Sequence, residues 1–366
     1  MEWWAKGMRS ISATLRDSVK AMLGTPLNAA ISLVMLGFFA TVLPAIYRWA
    51  IAAGTLGGAD RKACVDGGAC WVFLRIRWHD LMYGGYPAPE VWRVKLAAVL
   101  LIGLMVGAFL KFNPWRRHFV LLLCLVFPIA AGLLIIGGLP GLPYVATRFW
   151  GGFMLNVVLA FIAVAGAAPL GLVLAEARRA KDRTVRVLAT GFIELWRAAP
   201  LVTVLFMGIF ILPFVMPRGF ELNKFVSVAT ALVLFNSAYM AEAIRGGLQA
   251  VPSGQFQAAE ALGLGFWQSR WLVIWPQALR MSVPSIVNTA IDLFKDTSFV
   301  IIIGLFDMLG SVQQAVRDPQ WLGLAAEGYV FVASIFFVIC MILSAMSKAI
   351  EQIGRASCRE RVCYPV

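Results

Sequence analysis

Charge is scarce in this sequence. Asp, Glu, Lys and Arg make up 14% of its 366 residues, where a soluble domain carries about 25%. Hydrophobic residues make up 60% and the mean hydropathy is +0.80, which excludes a water-soluble globule and a disordered chain. The apolar residues come in long runs rather than alternating with polar ones, which excludes an outer-membrane barrel. Histidine is nearly absent, with only His79 and His118, and no Cys/His cluster has zinc-ligand spacing. No Gly-rich phosphate loop ending in Lys-Ser or Lys-Thr occurs, so the chain carries no ATPase of its own. His-Glu-x-x-His and Gly-x-Ser-x-Gly are missing too, which argues against an intramembrane hydrolase. The net charge of +13 would suit a nucleic-acid partner, but the charges sit in short clusters between apolar runs and none is expected. That distribution marks membrane topology.

The fold class that remains is all-α, a polytopic helical membrane protein. Eight apolar runs are long enough to span, near residues 28–50, 96–112, 119–138, 149–175, 190–214, 225–246, 284–306 and 325–347. Residues 1–27 are expected not to be a cleaved signal peptide, because no small-residue cleavage site follows them. Every second loop is basic. Lys6, Arg9, Arg16 and Lys20 precede the first span, Lys111, Arg116 and Arg117 follow the second, and Arg178, Arg179, Lys181, Arg183 and Arg186 follow the fourth. Positive charge is retained in the cytoplasm, so both termini are expected there. Arg178, Arg179 and Lys181 are read as topology determinants rather than contacts.

The long loop at 52–95 then faces outward. Cys64 and Cys70 lie in it with Gly67 and Gly68 between them. An oxidising outer compartment permits a disulfide, and two free thiols are the alternative. Cys124 and Cys340 fall inside spans and read as packing residues. Residues 353–366 read as a cloning or assembly scar.

The most informative stretch is the loop between the sixth and seventh spans, Gly254-Gln-Phe-Gln-Ala-Ala-Glu-Ala-Leu-Gly263, followed by Leu264 to Trp275 and Pro276. It is expected to form a short helix, a glycine stop, a second helix and a proline that starts the return into the membrane. Ala258, Ala259 and Ala261 are small enough to let another surface approach.

This loop resembles that of the membrane subunits of bacterial ABC importers. Their pattern is Glu-Ala-Ala, three residues, Gly, nine residues, Ile, one residue, Leu-Pro. Here Gln257-Ala258-Ala259, Gly263, Val273, Trp275 and Pro276 keep the spacing, with Gln257, Val273 and Trp275 departing in side chain. The loss of the acid at Gln257 removes a charge contact and leaves the docking shape. Further motifs resemble the permeases for polar amino acids: Asn156, Glu194-Leu-Trp-Arg197 with Pro200-Leu201, Tyr239-Met-Ala-Glu242-Ala-Ile-Arg245-Gly-Gly247, Pro252-Ser-Gly-Gln255 and Lys295-Asp-Thr-Ser298. The likeness covers roughly residues 148–350. The preceding residues, including Gly68-Ala-Cys-Trp71, look like the larger M-type permeases of general L-amino-acid importers.

The resemblance implies a type I importer transmembrane domain at 148–352, with a three-span extension at 1–147. It implies a multi-pass subunit of the bacterial inner membrane, a pair of ATP-binding subunits docked on Gln257, Ala258, Ala259, Leu262 and Gly263, a second, paralogous permease, and a periplasmic amino-acid-binding protein. It implies no cofactor in this chain, ATP and Mg being held by the partners, and transport by alternating access rather than chemistry.

Charged residues within spans need a partner, a wet cavity or an end position. Asp292 and Asp296 share a helix face, with Thr289 nearly in line. Asp296 is the first candidate for a substrate ammonium, with Thr289, Asn288 and Asn236 as hydrogen-bonding candidates. Against this, Lys295 can simply pair with Asp292, and Asp296, Thr297 and Ser298 can hold helix geometry. Glu242 with Arg245 and Glu194 with Arg197 read as interhelical or interfacial ion pairs rather than ligands. A secondary transporter driven by an ion gradient is the rival class, but no internal repeat supports it and it leaves the ordered loop unexplained.

Overall fold

The computed structural model describes residues 24–109, 115–217 and 223–362. Lys6, Arg9, Arg16, Lys20 and Lys111 of the basic clusters lie outside them, as do residues 363–366. Two compact units meet between Ile76 and Arg77.

In the first unit, helix α1 (Pro26–Tyr47) starts with proline in its first turn, and the Thr25 hydroxyl accepts from the Asn28 N–H at 3.2 Å. No residue of α1 is buried, as suits an apolar helix with lipid for a neighbour. Beyond it the chain folds back on itself. Thr55 and Trp71 exchange backbone bonds with Ala69 and Thr55, at 2.8 and 2.9 Å, and the Trp71 indole donates to the Ala50 carbonyl at 2.6 Å. Cys64 and Cys70 form a disulfide with Cα atoms 5.3 Å apart. Gly68 lies against Ala53 so closely that a Cβ there would come within 1.9 Å of the Ala53 oxygen, so no other residue fits.

The second unit contains α2 (Trp78–Tyr83), α3 (Val91–Phe109) and α4 (Phe127–Ile136). Then come α5 (Gly152–Ala177), α6 (Arg183–Ala198), α7 (Leu201–Phe206) and α8 (Lys224–Ala250). The loop helix α9 (Ser253–Ala261) follows, then α10 (Trp275–Asp296), α11 (Met308–Ala315) and α12 (Ala325–Val362). Residues 353–362, read as part of a cloning or assembly scar, continue α12 as helix.

The centre of this unit is the pair α5 and α8, with α10 packed on α8 and also touching α5, and α12 against α10. A buried stripe of small residues on α5, Ala160, Ala163, Ala167, Gly171 and Ala175, explains the closeness of the pair. Helices without bulky side chains at the seam approach closely in lipid, where dispersion rather than the hydrophobic effect holds them. Leu155, Leu159, Leu232 and Val228, all fully buried, fill the core between them.

Among the described residues six helices are long and apolar enough to cross a bilayer, or seven if one bent pair counts as a span. Eight were expected, and two runs explain the difference. The run at 190–214 breaks where Ala199 turns extended ahead of Pro200, as residues before proline do, and α6 meets the following helix at 106°. α6 itself is strongly two-faced, with Arg183, Arg186, Glu194 and Arg197 along it. The run at 284–306 becomes the C-terminal half of α10, whose Asn288, Thr289, Asp292, Lys295 and Asp296 dilute its apolar content, and then a 3-10 helix at Thr297–Ile303.

Candidate functional site

The loop is built as a seat. Pro252 precedes α9, which ends in a Schellman turn: the Gly263 N–H bonds Glu260 O at 2.9 Å and the Leu264 N–H bonds Ala259 O at 3.1 Å. Gly263 has φ +70°, the left-handed conformation such a stop requires. Gln257, Ala258 and Leu262 are exposed, Leu262 at 77%, whereas Ala259 is 2% exposed. Ala259 therefore seats the helix on its own chain. Trp267, Trp271 and Leu272 extend the exposed apolar surface beside α9.

Beneath the seat are cations and rings. The Arg179 and Arg270 guanidinium groups lie 5.5 and 5.2 Å from the Phe256 ring centroid, and Arg270 is also 4.7 Å from that of Phe266. Arg270 Nε lies 3.2 Å from the Glu176 carboxylate of α5, and the Trp275 indole donates to Glu176 Oε1 at 2.8 Å. Gln277 donates to Gln255 Oε1 at 3.1 Å.

Next to this seat α5, α6 and α8 are joined by ions. Arg178 bridges Glu194 at 2.9 Å and pairs closely with Glu242, and Glu242 also accepts from Arg245 at 2.7 Å. The reading of Arg178 as a topology charge without contacts is thereby corrected. Arg179 donates to Leu248 O at 3.2 Å. Glu194 pairs with Arg178 rather than with Arg197, whose guanidinium lies 5.7 Å from the Tyr239 ring centroid.

The four substrate candidates fall on two helices. Asn236 is buried on α8 and donates to Leu232 O at 2.9 Å. Thr289 on α10 donates to Ser285 O at 3.0 Å. Asn288 is exposed and Asp296, half-buried, ends α10. Lys295 pairs with Asp292 at 2.7 Å, both exposed. A separate cavity of about 640 Å³ opens at the far end of α5 from the loop. Arg77, Asp80, Arg148, Arg317 and Asp318 line it, and none of the four candidates does. Arg77 pairs there with Asp80 at 3.2 Å and closely with Asp318.

Residues 167–352 match the family described as binding-protein-dependent transport system inner membrane component. The chain belongs to this family. It is 46% identical over 313 residues to the inner membrane amino-acid ABC transporter permease protein YhdY of Escherichia coli K12, covering 85% of each chain. It is 36% identical over 350 residues to the glutamate/glutamine/aspartate/asparagine transport system permease protein BztC of Rhodobacter capsulatus, covering 80% of this chain and 81% of that one. Among solved structures, an amino acid ABC transporter crystallised with histidines is 28% identical, covers 55% of this chain and 91% of its own, and superposes with a TM-score of 0.48.

In this permease the sequence left one knot unread. At the far end of α5 the Asn156 amide donates to Thr297 Oγ1 at 2.9 Å and to Asp307 Oδ2 at 3.0 Å, and its oxygen accepts from the Met308 N–H at 3.0 Å. Asp307 Oδ1 accepts from the Gly310 N–H at 2.9 Å. Asn156, Thr297 and Asp307 are all fully buried. Burial raises the Asp307 carboxyl above its ordinary range, while the Asn156 and Gly310 N–H groups pull it back. Asn156 and Thr297 stood in recognisable motifs; Asp307 had only an N-cap position before α11 to signal it. Glu176 was missed likewise, because its partners lie 94 and 99 residues away in sequence.

Proposed function

We propose that this chain is the transmembrane subunit of an ATP-driven importer of L-amino acids in the bacterial inner membrane. Membership of the permease family and the names of the relatives support amino acids as cargo, and ATP is hydrolysed by separate subunits. A pair of those subunits docks on the α9 surface formed by Gln257, Ala258 and Leu262, with Gly263 fixing the angle of the stop. The observation that carries this reading is the apolar surface left open around an α9 whose inner side is seated on the chain through Ala259.

The loop end is cytoplasmic on this reading, and so are both termini. A second, paralogous permease completes the pathway, and a periplasmic amino-acid-binding protein delivers substrate at the far end, where the cavity beside Arg77, Arg148 and Arg317 opens. Residues 1–147 form the extension and 148–352 the transport domain. Closure of the ATPase pair moves the loop helices, and the helices around α8 and α10 exchange outward for inward access. On this reading Asp296 accepts the substrate ammonium, with Thr289, Asn288 and Asn236 as hydrogen-bonding partners. The disulfide between Cys64 and Cys70 belongs to the outward loop.

The complete complex in sealed vesicles tests the reading. Amino-acid uptake that requires ATP and persists with an uncoupler supports it. Uptake driven by a sodium or proton gradient without ATP would establish the secondary-transporter alternative instead.

A further inference from the structure

The loop seat contains a group that the docking surface does not account for. Glu176 lies one residue before the end of α5, on the helix that forms the core pair with α8. Its carboxylate takes both Arg270 and the Trp275 indole, and the side chains of Glu176 and Arg270 are only 13% and 15% exposed. The two donors flank the turn that joins the loop to α10, since the π turn Arg270–Ile274 lies between the residues of the loop and Trp275. Arg270 reaches Phe256 on α9 with its other face. A continuous chain of contacts thus runs from α9 through Phe256 and Arg270 to Glu176 on α5. Bonds to a carboxylate shielded from water are directional, and the pair of them at 3.2 and 2.8 Å holds distance better than dispersion contacts do. Trp275 matters specifically: it replaces the leucine of the loop pattern, and a leucine has no N–H to offer Glu176.

We propose that Glu176 is a positioning residue for coupling, a strut that transmits displacement of the loop helices to α5. This rests on the reading of the loop as the ATPase docking site. Glu176 meets no substrate and no nucleotide. Its loss leaves the docking surface of α9 in place, so ATPase subunits still bind and hydrolyse, but their stroke reaches α5 weakly.

The experiment uses the full complex in nanodiscs and in proteoliposomes with its binding protein. It reads four quantities: co-purification of the ATPase subunits, basal ATP hydrolysis, the melting temperature of the complex, and amino acid moved per ATP hydrolysed. Wild-type complex that retains its ATPase and transports on ATP secures the docking reading independently. In Glu176→Gln we expect assembly, melting temperature and basal hydrolysis close to wild type, with amino acid moved per ATP reduced about tenfold, the scale of one lost charge-assisted bond. Trp275→Leu lowers the same ratio by about threefold, the scale of a neutral bond. Glu176→Gln combined with Arg270→Gln is no worse than Glu176→Gln alone, because the path from α9 to α5 is already broken at Glu176. An unchanged ratio in Glu176→Gln overturns the proposal. So does a fall in melting temperature and basal hydrolysis that tracks the fall in transport, which would make Glu176 a structural residue only.

Discussion

The two ends of α5 are held by different chemistry. The far end is tied by Asn156 to Thr297, Asp307 and Met308, all within a fully buried knot. The loop end is tied to α6 and α8 by Arg178 and Arg179, through ions that keep 24% of their surface in Arg178 and 55% in Glu194, and to the loop by the more shielded Glu176. About 30 Å of helix separates Asn156 from Glu176, at 1.5 Å per residue. Buried neutral donors with fixed geometry have one arrangement, and losing any partner strands a polar group in a dry interior. Partly wet ion pairs exchange partners at small cost. The difference teaches where a lever can pivot: the far end is a fixed point, and the loop end is the one that can shift in response to a partner.

This contrast can be broken by mutation. The largest effect is expected from Asn156→Leu, which takes the Asn156 donor from Asp307 Oδ2 and leaves the Met308 N–H without its acceptor. It should lower stability by on the order of 3 kcal/mol, read as loss of folded complex in a detergent melt. If Asn156→Leu folds and melts like wild type, the far end is not a fixed point. Asp296→Asn, at the end of α10 next to Thr297 of the knot, should leave expression intact and cut amino-acid uptake about tenfold, the scale of one bond to a charged group. A fall in expression alone would make Asp296 structural. Glu242→Gln removes the acid shared by Arg178 and Arg245, and should cost about 1–2 kcal/mol, with uptake falling more than the yield of folded complex. Equal loss of the two would erase the distinction between the ends. Glu194→Gln should change stability by less than about 0.5 kcal/mol, because that partner is exposed and screened; a larger drop would show that α6 is clamped rather than adjustable.

Much of this was legible in the residues. Long apolar runs identify the helices, and the glycine and proline of the loop identify its turns, because both signals are local. The broken span was not legible from hydropathy, which averages across Pro200 and credits the apolar face of α6 to a crossing helix. Seen residue by residue, Arg183, Arg186, Glu194 and Arg197 along one helix are the warning. The ion pairs one turn apart, Glu242 with Arg245 and Asp292 with Lys295, follow from helical spacing. Glu194 did not, because Arg178 reached it from another helix. The knot at Asn156 and the strut at Glu176 depend on contacts between segments far apart in the chain, and a single sequence carries no record of such meetings.

The central claim is that α9 faces the cytoplasm and is gripped there by an ATPase subunit. A cysteine placed by Ala258→Cys, on the exposed side of α9, tests it directly. The account predicts that this cysteine cross-links to an ATPase subunit in native membranes and resists a membrane-impermeant maleimide added outside intact spheroplasts. Labelling from the outside, with no cross-link to an ATPase subunit, would contradict it.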